Sequence, residues 1–147
     1  PMGETEARRL YDDVMPRAAV ILELVGKIEA RSPETVKEYR ERLEAKLREV
    51  LSDTTIDEQR ILTEAAIFAD KVAVAEETVR LRSHFEQLKA LLNAEEPSGR
   101  KMDFLVQEMN RETNTIGSKA SDSQIAYMVV DIKAEIEKIR EQIQNIE

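Results

Sequence analysis

Seven β-branched residues, Ile125, Val129, Ile132, Ile136, Ile139, Ile143 and Ile146, recur in alternating four- and three-residue steps along the C-terminal stretch. That spacing draws one apolar line along an α-helix and does not fit a strand, whose side chains change face at every residue. A helix marked in this way needs a partner helix. Earlier helices of the same chain supply one by ordinary bundle packing, and the same seam also permits self-association. Just before it, Ser121-Asp122-Ser123-Gln124 carries the polar residues that open a helix.

The rest of the chain has few signals that would stop helices. Only 4 Gly and 4 Pro occur in 147 residues, aromatics are 4 %, and apolar residues are 41 %, enough for one core of ordinary size. The expected fold is therefore all-α: one domain over residues 1–147, with about five long antiparallel helices forming a helical bundle or coiled-coil hairpin.

From about Glu4 to Ala30, Leu10, Val14, Ile21, Val25 and Ile28 form one stripe, interrupted by Pro16 as a candidate kink. Ser32-Pro33-Glu34 has the form of a helix start, with proline where its missing donor costs nothing. It predicts a second helix to about Leu51, folded back on the first and buried through Tyr39, Leu43, Leu47 and Val50. Thr55-Ile56-Asp57-Glu58 matches a capping box, predicting a third helix to about Asn93 that is weakened at Val72 to Val74. Glu95-Glu96-Pro97-Ser98-Gly99 is a break, followed by a fourth helix from Arg100 to about Asn114. The polar stretch from Thr113 to Asp122 predicts a loop.

Several function classes drop out early. The chain has no cysteine, which removes disulfides and thiolate metal sites. No apolar run approaches the roughly 18 residues of a membrane span, and nothing reads as a signal peptide, so a cytoplasmic location is the expectation. The net charge of −8 opposes strong nucleic-acid binding by this chain alone. That charge is uneven, however: from Arg80 to Ala120 there are seven basic and six acidic residues, so RNA would meet this region. With so few aromatics, no base-stacking platform is evident.

The stretch Gly99 to Glu112, Gly-Arg-Lys-Met-Asp-Phe-Leu-Val-Gln-Glu-Met-Asn-Arg-Glu, continuing through Thr113-Asn114-Thr115-Ile116-Gly117-Ser118-Lys119-Ala120, resembles the signature of the YicC/YloC family. Ala69-Asp70-Lys71, Glu76-Glu77, Arg80-Leu81-Arg82-Ser83-His84-Phe85 and the ending from Glu135 to Glu147 resemble its flanking segments. The resemblance implies a bacterial, metal-dependent endoribonuclease acting on single-stranded RNA. It also implies a homo-oligomer, such as a hexamer, in the full-length protein, and a C-terminal half whose N-terminal counterpart lies outside this chain. Ala73 departs from the pattern, which has an acidic residue there. The alternative is a non-catalytic oligomerisation or interaction module supporting RNA binding by the whole protein.

Metal-assisted RNA cleavage needs oxygen or imidazole ligands and cations facing phosphate. The candidate metal ligands and catalytic groups are His84, Asp103 and Glu108, for a divalent cation such as Mn2+ or Mg2+. The candidate RNA- or phosphate-binding residues are Arg80, Arg100, Lys101, Arg111, Asn114 and Lys119. Ser118, in the polar loop, is a further possible phosphate contact. The plainer reading is a solvated face: His84 is the single histidine, and Glu108 and Arg111 are spaced for a local ion pair of only tenths of a kcal/mol. His84 and Glu86 do not share a helix face, and no HExxH pattern exists.

Overall fold

The computed structural model describes residues 3–51 and 55–146; the side chain of Ile146, the last member of the seam, lies outside that description. Five helices follow in order: α1 (Glu4–Val50), α2 (Glu58–Lys71), α3 (Ala75–Leu92), α4 (Gly99–Lys119) and α5 (Ser123–Ile146). No strand occurs among the described residues.

The isoleucine seam is spent inside the chain. Ile125, Val129, Ile132, Ile136, Ile139 and Ile143 are all buried, against α1 on one side and α4 on the other. The first part of α1, α3, α4 and α5 close a four-helix bundle in which α1 meets α3 and α5, and α4 meets α3 and α5. Cross-helix pairs fix the directions. Arg17 reaches Glu135 and Arg31 reaches Asp122, so α1 and α5 run antiparallel. Arg80 reaches Glu112 and Lys119 reaches Glu77, so α3 and α4 do too.

The predicted break at Ser32-Pro33 is not there: α1 is one helix of 47 residues that runs through both Pro16 and Pro33. A proline deletes one ladder hydrogen bond, yet the buried stripe passes on from Ile28 to Thr35. Between them Arg31 clamps Glu38 one way (2.7 Å) and Asp122 the other (2.8 Å), and the Thr35 hydroxyl donates to the Ser32 carbonyl (2.7 Å). Tertiary contacts on either side of Pro33 thus override its local preference. In consequence there is no hairpin between a first and a second helix. The far half of α1 packs instead on α2, with the Tyr39 and Phe68 rings stacked at 4.0 Å. Tyr39, Leu43 and Leu47 are only half-buried there, and Val50 is exposed, not buried as predicted.

The third predicted helix divides into α2 and α3. Val72 and Val74 are both buried while Ala73 between them is exposed, so two β-branched side chains are seated at the cost of the helical ladder. The cap of α2 also differs from the expectation. Asp57, not Thr55, is the N-cap, and its carboxylate accepts from Gln59 N (3.0 Å) and Arg60 N (3.3 Å).

The predicted polar loop is mostly helix, since α4 continues to Lys119. The hydroxyls fold back onto their own helix: Thr113 donates to the Met109 carbonyl (2.8 Å), Thr115 to Arg111 (3.1 Å) and Ser118 to Thr115 (3.1 Å). Gly117 is small for a packing reason. A Cβ there would lie 3.2 Å from Val129 Cγ1, so glycine lets α5 approach. Asp122 then caps α5, accepting from Ile125 N at 3.1 Å.

Candidate metal and phosphate site between α3 and α4

Antiparallel packing of α3 on α4 brings residues distant in sequence to one open cleft of about 570 Å3. On α3, Glu76, Arg80 and His84 follow at four-residue steps and so share a face; on α4, Glu108, Glu112 and Lys119, at steps of four and seven, also share one. One donor atom each from His84, Glu108 and Glu112 lies within 4.8 Å of the others, the one such group of three acidic or imidazole residues among the described residues. His84 Nδ1 is buried without a hydrogen-bond partner, although its residue is half-buried. An imidazole nitrogen shielded from water and left unpaired is costly unless something binds there. A divalent cation fits this donor set: carboxylates and imidazole suit Mn, Mg, Zn or Fe, and no soft ligand is present.

Cations surround the donors. Arg80 lies 3.7 Å from Glu76 and 3.8 Å from Glu112, both pairs long and one of them largely solvated. Lys119 Nζ comes to 2.5 Å from Glu77 Oε1, yet neither Glu77 oxygen has an aligned hydrogen bond. Because Glu77 is only 1 % exposed, its carboxylate depends on the charge of Lys119, the arrangement in which losing one partner is expensive. Arg111 completes the basic rim.

The structure thus joins His84 and Glu108, and adds Arg80, Arg111 and Lys119. Asp103 is not brought to them. It sits a helical turn before Glu108 on another face of α4, accepts from Gln107 Nε2 at 2.9 Å, and faces Arg140 of α5. Arg100 and Lys101 lie beyond the cleft, beside Phe104. Asn114 is exposed and does not line the cleft. Ser118 spends its hydroxyl on the Thr115 carbonyl. Sequence reasoning passed over Glu112 and Glu77. Glu112 was visible as the i+4 companion of Glu108, which had been paired instead with Arg111; the burial of Glu77 left no mark in the sequence. Ala73 is exposed in the α2–α3 link and lines a separate cavity of about 330 Å3 with Ala69 and Val74.

A family profile described as "Endoribonuclease YicC-like, C-terminal" matches residues 28–147. The chain belongs to this family. It is similar to a protein of Clostridioides difficile (strain 630) named "Probable endoribonuclease YicC", with 49 % identity across 99 % of the chain and 50 % of that relative. It is also similar to a protein of the same name from Haemophilus influenzae (strain Rd), with 35 % identity over 99 % of the chain and 50 % of the relative. The chain spans about half the length of these YicC relatives. The YicC-like match takes in α3, α4 and α5 entire, and with them every residue of the cleft. It begins within α1, just before Pro33. No helix among the described residues is long and apolar enough to cross a membrane.

Proposed function

We infer that this chain carries a phosphodiester-cleaving cleft of a metal-dependent endoribonuclease acting on single-stranded RNA. The observation that carries the reading is the convergence of His84, Glu108 and Glu112 within 4.8 Å, in a cleft rimmed by cations. These three side chains would hold a divalent cation, Mn2+ or Mg2+. The chemistry it would supply is polarisation of a phosphoryl oxygen and a lowered pKa of water. Arg80, Arg111 and Lys119 would orient the backbone phosphate and offset the charge that develops on it. Glu77 positions Lys119. The whole protein is read as a homo-oligomer whose other half completes the RNA path.

A cleavage time course on generic single-stranded RNA, with and without divalent cation, tests this reading for the chain and for a full-length relative at equal subunit concentration. Glu108→Gln, Glu112→Gln and His84→Ala should each lower the metal-dependent rate by about 100-fold or more with circular dichroism unchanged. Cleavage that persists in all three variants removes the site.

The second reading is a non-catalytic assembly module, and it has its own support. Val50, Leu62 and Ile67 on the α1–α2 arm are exposed apolar residues of the kind that partners cover. Cleavage by the full-length relative but never by this chain favours it.

A further inference from the structure

One helical turn before Glu108, the same groove between α3 and α4 changes character. A hollow of about 640 Å3 is lined by Ala90, Leu91, Phe104 and Leu105 together with Gln87, Arg100 and Lys101. Phe104 is 60 % exposed, an uncommon state for a large aromatic ring in a chain with so few of them. Arg100 and Lys101 are exposed and take part in no ion pair among the described residues, as is also true of Lys89 and Arg111 on the same two helices. In a chain of net charge −8, an aromatic face beside two uncommitted cations fits a ligand that is flat and anionic.

The hollow and the cleft lie along the same pair of helices. Phe104, Glu108, Arg111, Thr115 and Lys119 follow each other at steps of three and four residues, one stripe along α4. His84, Gln87 and Leu91 run beside them in the opposite direction on α3. Four residues, about 6 Å of helical rise, separate Phe104 from Glu108, which is proposed to hold metal. At about 640 Å3 the hollow has the dimensions of a small-ligand pocket.

We propose that this hollow is a nucleobase subsite of the RNA path, in which a base flanking the cleaved phosphate stacks on Phe104 while Arg100 and Lys101 contact the phosphates beside it. The proposal rests on RNA being the ligand of the adjacent cleft, and it adds a stacking platform that composition alone did not suggest. Phe104 is then a positioning residue for the strand.

The test is binding of a fluorescently labelled single-stranded RNA oligonucleotide to this chain by anisotropy, at low salt and in EDTA, so that neither metal nor cleavage contributes. Phe104→Leu keeps an apolar side chain but removes the π-face, and should weaken binding about 5- to 150-fold, the range of one lost base stack. Phe104→Tyr and Phe104→Trp should bind like the unsubstituted chain. An oligonucleotide with abasic residues should no longer distinguish Phe104→Leu from the unsubstituted chain. The proposal is overturned by equal RNA affinity of Phe104→Leu and the unsubstituted chain, or by no RNA binding at all. It is also overturned if Phe104→Leu instead changes the sedimentation coefficient, which would make the hollow a contact between copies. Metal-dependent cleavage that is indifferent to Phe104 defeats the subsite alone, while Phe104-dependent binding without any cleavage defeats only the catalytic reading.

Discussion

The two halves of α1 are one continuous helix, yet they live in different environments. Before Pro33, Leu10, Val14, Ile21, Val25 and Ile28 are buried against the bundle, each within a well-filled core. After it, only Thr35 is buried in α1, and the arm made with α2 relies on Ile61, Ala65 and one stacked Tyr39–Phe68 pair. The same secondary structure is thus stabilised by many interlocking contacts in one region and by few in the other. Cooperative opening should follow that division, with the arm exchanging its amides well before the bundle does.

The largest effect expected is in the bundle. Ile132→Ala, at a fully buried seam position, should cost about 2–5 kcal/mol by urea denaturation, and a cost near zero would show that the seam is not the core. Next comes Lys119→Met, which leaves buried Glu77 without its compensating charge. About 2 kcal/mol of destabilisation is expected, below the range for a fully buried pair because Lys119 is itself partly exposed. Adding Glu77→Gln should recover most of it, and failure to recover would mean that Lys119 stabilises α4 by some other contact.

Three smaller effects bear on the arm and the joint. Tyr39→Ala should cost about 1 kcal/mol and speed hydrogen exchange in α2 while leaving α5 protected; equal loosening of both would make arm and bundle one cooperative unit. Pro33→Ala restores a backbone donor inside α1 and should stabilise the chain by about 1 kcal/mol, read as a higher melting temperature, whereas a lower one would show that the proline matches a local distortion. Finally, Arg31 and Ile125 N hold the Asp122 carboxyl below its ordinary value, and Arg82 does the same for Glu29. A folded pKa below the unfolded one gives stability that is present above about pH 4 and lost as pH falls through the folded value. Melting temperature should therefore drop below about pH 4, and the drop should be shallower in Asp122→Asn.

What could be read from the sequence divides along physical lines. The seam from Ile125 to Ile143 was legible because periodicity is a property of the local chain, and its burial followed. Pro33 misled because its local preference was outweighed by Arg31 gripping two carboxylates, one of them 91 residues away. Thr113 and Gly117 looked like loop residues because nothing local shows that a hydroxyl will turn inward or that α5 will press against a glycine. At the site, His84 and Glu108 were picked out by residue type, but Asp103 was grouped with them by nearness in sequence when the helix carries it to another face. Glu77 could be recognised only after α4 had been placed beside it.

The unbroken passage of α1 through Pro33 has a mechanical consequence. Fifteen residues of stiff rod, roughly 22 Å at helical rise, project past the last firm anchor at Arg31 and Thr35. A bend of about 10° at that fulcrum carries the distal tip some 4 Å, by the geometry of a rod of that length. Whatever grips the tip thereby gains leverage over the near end of α3, because α2 rides on the rod and hands over to α3 through only Val72, Ala73 and Val74.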